Sequence, residues 1–313
     1  MSNRALYILA VVIWGSTWLA IEYQLGVVAP EVSVVYRYIA ASALLFGWCL
    51  ARGLGLRFEW RAHVWFAVLG FLLFGLNYVL TYRAQVHITS ALCAIAFSMM
   101  LWMNIVNARL FFGIRADRRV LVGAMLGVVG TMTLFAPQIG ELTLSDSVFV
   151  GLLLAVVGAL SASFGNMASQ HAQKLKLPVM QTNAWGMLYG SLWTGAYVAY
   201  MGYEFTFDWS PGYVLSLAYL VVFGSIVAFG AYLTLVGRIG AHRAGYAAVM
   251  WPVVALFLSM VFEGLILDAP TAIGTLLVIG GNLLVLRSRS GTAVKRQPRE
   301  SAAAPGQERP IPL

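Results

Sequence analysis

Trp14 and Trp18 lie four residues apart in the stretch AVVIWGSTWLAIEY (10–23), with Gly15, Ser16 and Thr17 between them. The apolar run around them begins near Ala5, so Trp14 is ~15 Å into a helix at ~1.5 Å per residue. That is about the middle of a bilayer, whereas tryptophan usually sits at the membrane–water boundary. Similar side chains recur at mid-depth elsewhere: Asn77, Tyr78 and Tyr82; Ser98, Met99, Trp102 and Met103; Ser161, Ser163 and Asn166; Trp185 and Tyr189; Tyr246, Met250 and Trp251. Such residues bind rather than react. Indole and phenol faces receive apolar or aromatic groups and attract an ammonium, while a few polar groups orient the solute. Each residue alone has a plainer reading. A Ser or Thr in a membrane helix bonds its own i−4 carbonyl, and a Trp fills volume. The candidate solute-binding set is Trp14, Ser16, Thr17, Trp18, Tyr78, Tyr82, Ser98, Met99, Trp102, Ser163, Trp185, Tyr189, Tyr246, Met250 and Trp251.

Groups able to do covalent or proton chemistry are sparse. His63, His87, His171 and His242 are scattered over both faces, Cys49 and Cys93 fall in separate apolar segments, and neither H-E-x-x-H, G-x-S-x-G nor a carboxylate pair occurs. An intramembrane enzyme, which needs a nucleophile and base at one depth, is the remote alternative. No cofactor or metal is expected. No Asp, Glu, Lys or His occupies a mid-depth position, where proton relays usually lie. Glu22, Arg37, Arg83, His87 and Glu263 fall near outer helix ends. Glu22, Arg37, His87, Pro252 and Glu263 are candidates for gating or coupling. An ion pair of Arg37 with Glu22, Glu31 or Glu263 is expected. Pro252 removes one backbone hydrogen bond, which makes either a hinge or a static kink.

The elements that position these side chains are membrane helices. The chain is 60% hydrophobic and 10% charged, with a mean hydropathy of +0.81; soluble domains carry ~25% charged residues. Ten apolar segments approach the ~20 residues that span a bilayer, at 4–22, 33–51, 62–82, 88–111, 119–136, 147–170, 180–201, 212–236, 244–263 and 270–287. The first runs on without a cleavage site and is expected to remain as an anchor. With the N-terminus in the cytoplasm, 18 of the 20 Lys and Arg fall on the inner side, as the positive-inside rule requires. The net charge of +8 therefore reads as topology, with both termini cytoplasmic, and not as a nucleic-acid surface. Residues 289–313, rich in Pro, Ala, Gly and charge, read as a disordered cytoplasmic tail.

The chain also resembles itself. A shift of 154 residues sets Gly70 on Gly224, Tyr78 on Tyr232, Ala91 on Gly245, Ala94 on Ala248 and Phe97 on Trp251. A loop three residues shorter then sets Gly123 on Gly274 and Gly130 on Gly281. Each copy holds five segments, over 4–140 and 141–288. Five is odd, so the second copy is inverted. Arg109 accordingly aligns with Glu263, one at an inner helix end and the other at an outer end. Inverted repeats are a transporter architecture with solute bound near the midplane. Gly123-x-x-x-Gly127 and Gly186-x-x-x-Gly190 fit close helix contacts.

With WGSTW in the first segment, VYRYIAASALL in the second and glycine-patterned fifth and tenth segments, the chain resembles the EamA branch of the drug/metabolite transporter superfamily over residues ~4–288. Its aromatic lining is most similar to that of bacterial aromatic amino acid exporters. The resemblance implies an all-α integral membrane fold, ten helices in two inverted five-helix repeats around a central cavity, with the fifth and tenth at the periphery. It also implies export from the cytoplasm across the bacterial inner membrane. Without a mid-depth carboxylate or a basic cavity, the solute is expected to be a small neutral one, an aromatic or apolar amino acid. Transport is expected to be uncoupled alternating access by a monomer whose other partner is the bilayer. Export of nucleosides or other metabolites by proton antiport through Glu22 or His87 is the alternative.

Overall fold

The computed structural model describes residues 1–134, 136, 146–262 and 269–287. The described residues are helical or connecting, with no strand among them. Buried backbone groups must be satisfied within each segment, which selects helices in an apolar environment. In chain order the helices are α1 (Asn3–Glu22), α2 (Pro30–Ala51), α3 (Trp60–Leu69 continuing to Asn77–His87), α4 (Ser90–Ser98 and Met100–Phe112) and α5 (Arg118–Leu134). They are followed by α6 (Asp146–Lys174), α7 (Val179–Met201), α8 (Pro211–Tyr219 continuing to Ala228–Ile239), α9 (Ala241–Ala244 and Tyr246–Phe262) and α10 (Ala269–Leu286). Among the described residues, six helical runs are long and apolar enough to cross a membrane: Asn3–Glu22, Pro30–Ala51, Trp60–His87, Ile95–Phe112, Asp146–Lys174 and Pro211–Ile239. The chain is a multi-pass membrane protein. Glu263 and the tail beyond 287 lie outside the described residues.

Local chemistry fixes the helix ends. Ser2 caps α1 by accepting from the Ala5 amide at 3.2 Å, and Thr89 caps α4 by accepting from the Leu92 amide at 3.4 Å. Pro30 and Pro211 take first-turn positions in α2 and α8, where the missing N–H costs nothing. Both α3 and α8 pass through a π-helical turn, Gly70–Leu76 and Leu220–Val227. A π turn inserts extra backbone and is frequent at functional sites.

Small residues decide which helices meet. A Cβ on Gly70 of α3 would stand 2.5 Å from the Gly186 carbonyl oxygen of α7. On α5, a Cβ on Gly123 would stand 2.6 Å from the Gly281 oxygen of α10, and one on Gly130 would stand 2.8 Å from the Gly274 oxygen. Only glycine allows these approaches. The repeat alignment pairs Gly123 with Gly274 and Gly130 with Gly281, whereas the contacts are crossed. These two contacts exchange into one another when each glycine is replaced by its aligned mate. The larger contact pattern has the same property. α5 packs on α10 and α2 on α7, while α1 packs on α8 and α9 and α6 on α3 and α4. Exchanging each helix for the one five places along leaves this pattern unchanged.

Candidate functional site

A cavity lies between α1, α3, α4, α6, α8 and α9. From α1 come Trp14, Thr17, Trp18 and Ile21, whose spacing makes one stripe of a helix. Gly15, between the tryptophans, seats α1 on α9: a Cβ there would stand 2.5 Å from the Val254 Cβ. α3 contributes Leu73, Asn77, Tyr78 and Thr81, another stripe. Phe97 and Met100 of α4, Ala162 and Asn166 of α6, Phe229 and Tyr232 of α8 and Trp251 of α9 complete the wall.

The rings form a connected cage. Trp14 meets Phe229, Tyr232 and Trp251 edge-to-face, with centroids 4.8, 4.9 and 5.4 Å away. Trp18 stands 5.7 Å from Phe97 and 6.3 Å from Trp251. The Trp14 indole N–H donates to the Gly224 carbonyl in the π turn of α8, at 3.0 Å. Asn166 donates to the Tyr232 hydroxyl at 3.1 Å and to Asn104 Oδ1 at 3.4 Å. The Trp18 and Trp251 indole N–H groups have no hydrogen-bond partner among the described residues. The space open to the centre of a water molecule is about 50 Å³. One water needs ~10–15 Å³ by that measure, so the space corresponds to a few water molecules.

Of the sequence candidates, Trp14, Thr17, Trp18, Tyr78 and Trp251 line the cavity. The others lie elsewhere, each for a physical reason. Ser16 faces away, with its Oγ donating to the Ile13 carbonyl at 2.7 Å and sharing a bond with the Tyr219 hydroxyl at 2.6 Å. Ser98 bonds back to the Ile95 carbonyl at 2.6 Å, and Met99 is exposed. Ser163 is buried and accepts from Asn107 at 2.9 Å. Trp102 and Met250 pack against the apolar cluster built around Tyr246. Tyr246 itself donates to the Gly123 carbonyl at 2.9 Å and so fixes α9 to α5. Trp185 and Tyr189 form a separate group with His63. Trp185 donates to the Leu56 carbonyl at 3.2 Å, and the Tyr189 hydroxyl lies 2.9 Å from His63 Nδ1. Tyr82 is buried behind the wall, 6.5 Å from the Tyr78 ring. Pro252 is buried within α9 directly after Trp251.

Glu31 pairs differently from expectation. Glu31 is fully buried and forms an ion pair with Arg83. Arg83 also donates to the Tyr203 hydroxyl at 2.6 Å, so this pair joins α2, α3 and the end of α7. Glu22 is exposed, and His87 lies 3.0 Å from Ser147 Oγ. Arg37 therefore has no carboxylate partner among the described residues. It is fully buried, donates from Nε to Ser225 Oγ at 2.8 Å, and stands over the Tyr78 ring at 4.6 Å. No three His, Cys, Asp or Glu side chains converge as a metal site among the described residues.

Asn77 and Asn166 stand in the wall but not in the candidate set. Tyr232, Phe97, Phe229, Met100 and Thr81 are wall residues the sequence reading did not single out. A signal for two of them existed. The 154-residue shift aligns Tyr78 with Tyr232 and Phe97 with Trp251, and all four line the cavity. A candidate in one copy therefore nominates its mate in the other.

The "Uncharacterized inner membrane transporter YedA" of Escherichia coli (strain K12) is 29% identical over 256 residues, covering 81% of this chain and 79% of the relative. A "Probable amino-acid metabolite efflux pump" of the same strain is 23% identical over 306 residues, covering 93% of this chain and 98% of the relative. A solved structure described only as "Crystal structure of protein" has a TM-score of 0.74 at 20% identity, over 90% of this chain and 96% of its own; it shares the fold. The EamA-like transporter family model matches twice, over residues 4–136 and 149–287. With those two matches covering most of its length, the chain belongs to the EamA-like transporter family.

Proposed function

We propose that this protein is an alternating-access carrier that exports small aromatic and apolar amino acids across the bacterial cytoplasmic membrane. Its ten helices form two inverted five-helix repeats, and both termini are cytoplasmic. The observation that carries this reading is the aromatic cage around Trp14, assembled from helices of both repeats at mid-depth. Crossed glycine contacts between α5 and α10 and the two family-model matches support the repeat. A relative named as an amino-acid metabolite efflux pump supports the solute class.

Transport is uncoupled in this reading. Glu31 is the one buried carboxylate among the described residues, and it is paired with Arg83. Proteoliposomes containing the protein are expected to take up labelled phenylalanine or tryptophan without an imposed pH gradient, at a rate unchanged by a proton carrier. Uptake only under a pH gradient contradicts the uncoupled mechanism. Carriage of nucleosides in preference to amino acids contradicts the solute class.

A further inference from the structure

Arg37 is the side chain whose surroundings the packing alone does not account for. It lies seven residues into α2, about 10 Å along the helix, and no part of it reaches solvent. A buried cation is costly unless a counter-charge accompanies it. Among the described residues, which do not include Glu263, the acid in its own helix, Glu31, belongs to Arg83, and Glu22 is exposed. The titratable groups acting on the guanidinium are the phenols of Tyr38, Tyr78 and Tyr82. Their ring faces and the Ser225 hydroxyl offer partial negative charge but no anion.

The guanidinium is also placed against the cavity wall. Its carbon stands 4.6 Å from the centroid of Tyr78, a lining residue. A Cβ on Gly224 would lie 3.1 Å from both Arg37 Nη2 and Thr17 Cγ2, so the cation adjoins a second lining residue. Trp18 and Trp251 line the same cavity, and their indole N–H groups are buried without a partner among the described residues. A hidden cation and two buried bare donors at one wall are groups that call for an acceptor. Their complement is an anionic oxygen group small enough to sit among rings.

We infer that Arg37 is the counter-charge for a carboxylate on the solute, with the Trp18 and Trp251 N–H groups as the donors that receive its oxygens. This inference rests on reading the aromatic cavity as the solute path. It narrows the solute to molecules bearing a free carboxylate, and it assigns Arg37 a binding role.

The test compares acids with their amides, which keep the side chain and the ammonium but lose the anion. The unfolding midpoint of the purified protein is measured with phenylalanine and leucine and with phenylalaninamide and leucinamide. Competition by the same four compounds for labelled phenylalanine uptake is measured in proteoliposomes. The acids are expected to act at concentrations about tenfold or more below the amides, the scale of one charge-assisted hydrogen bond. Arg37→Gln is expected to erase that ratio, and Arg37→Lys and Ser225→Ala, which keep the charge, to retain part of it. Should Arg37→Gln not fold, the wild-type ratio and Arg37→Lys carry the test. Equal action of acids and amides on the wild type overturns the inference, as does an acid preference that survives Arg37→Gln. Arg37-dependent stabilisation by acids without any flux leaves the inference standing and sinks the carrier reading. Flux without acid preference does the reverse, and absence of both effects sinks both.

Discussion

The indole N–H of Trp14 donates to the backbone carbonyl of Gly224, 3.0 Å away. The acceptor lies in the π turn of α8, and the ring that carries the donor is the centre of the aromatic cage. One bond thus ties the first helix to the irregular part of the eighth while the same ring forms a cavity wall.

Trp14→Phe keeps a ring and removes the donor. It leaves a buried carbonyl without this partner, which costs ~1–3 kcal/mol. The unfolding midpoint of the purified variant is expected to fall by several degrees. Trp14→Leu is expected to fall further, because it also removes edge-to-face contacts worth ~0.5–1.5 kcal/mol per pair. Unchanged midpoints in both variants would show that the bond does not hold α1 to α8.

Gly123→Val tests the crossed contact of α5 with α10. A Cβ at this position would stand 2.6 Å from the Gly281 carbonyl oxygen, and overpacking of this kind costs ~1–3 kcal/mol or more. Gly47→Ala, where nothing lies within 4 Å of the added Cβ, serves as the comparison and is expected to be neutral. The readout is the yield of monodisperse protein and its midpoint. Equal behaviour of the two variants would contradict close packing of α5 on α10.

The helices were legible in the sequence because long apolar runs and the inward bias of Lys and Arg are local properties. Glycine contacts were legible too, since a GxxxG spacing marks a close face wherever the partner lies. Facing was harder to read. Trp14 and Trp18 face the cavity as their spacing allows, yet Trp185 and Tyr189, with the same spacing, face His63. Helix rotation is set by tertiary partners, which spacing does not encode. Arg37 illustrates the same limit. Its depth was readable, but that Glu31 is not its partner followed from Glu31 turning to Arg83.

The Glu31–Arg83 pair joins the start of α2 to the end of α3. Removing one partner of a buried pair costs ~3–5 kcal/mol. Arg83 is 34% exposed, and exposed pairs are worth ~0–1 kcal/mol, so an intermediate loss is expected. Arg83→Ala should destabilise more than Glu31→Ala, because it strands a fully buried carboxylate, whereas Glu31→Ala leaves an arginine that already reaches solvent in part. The double variant should be less destabilised than the sum of the singles. Additive losses in that cycle would mean the two residues do not act as a pair.

Counterflow of labelled phenylalanine in proteoliposomes bears most directly on the cavity as the solute path. Trp251→Leu and Phe229→Leu are compared with Trp209→Leu, an exposed tryptophan away from the cage, all at matched folded protein. The cage variants are expected to lose about tenfold or more of the initial rate, on the scale of one lost aromatic anchor, while Trp209→Leu retains wild-type flux. Wild-type counterflow in both cage variants would contradict passage of the solute through this cavity.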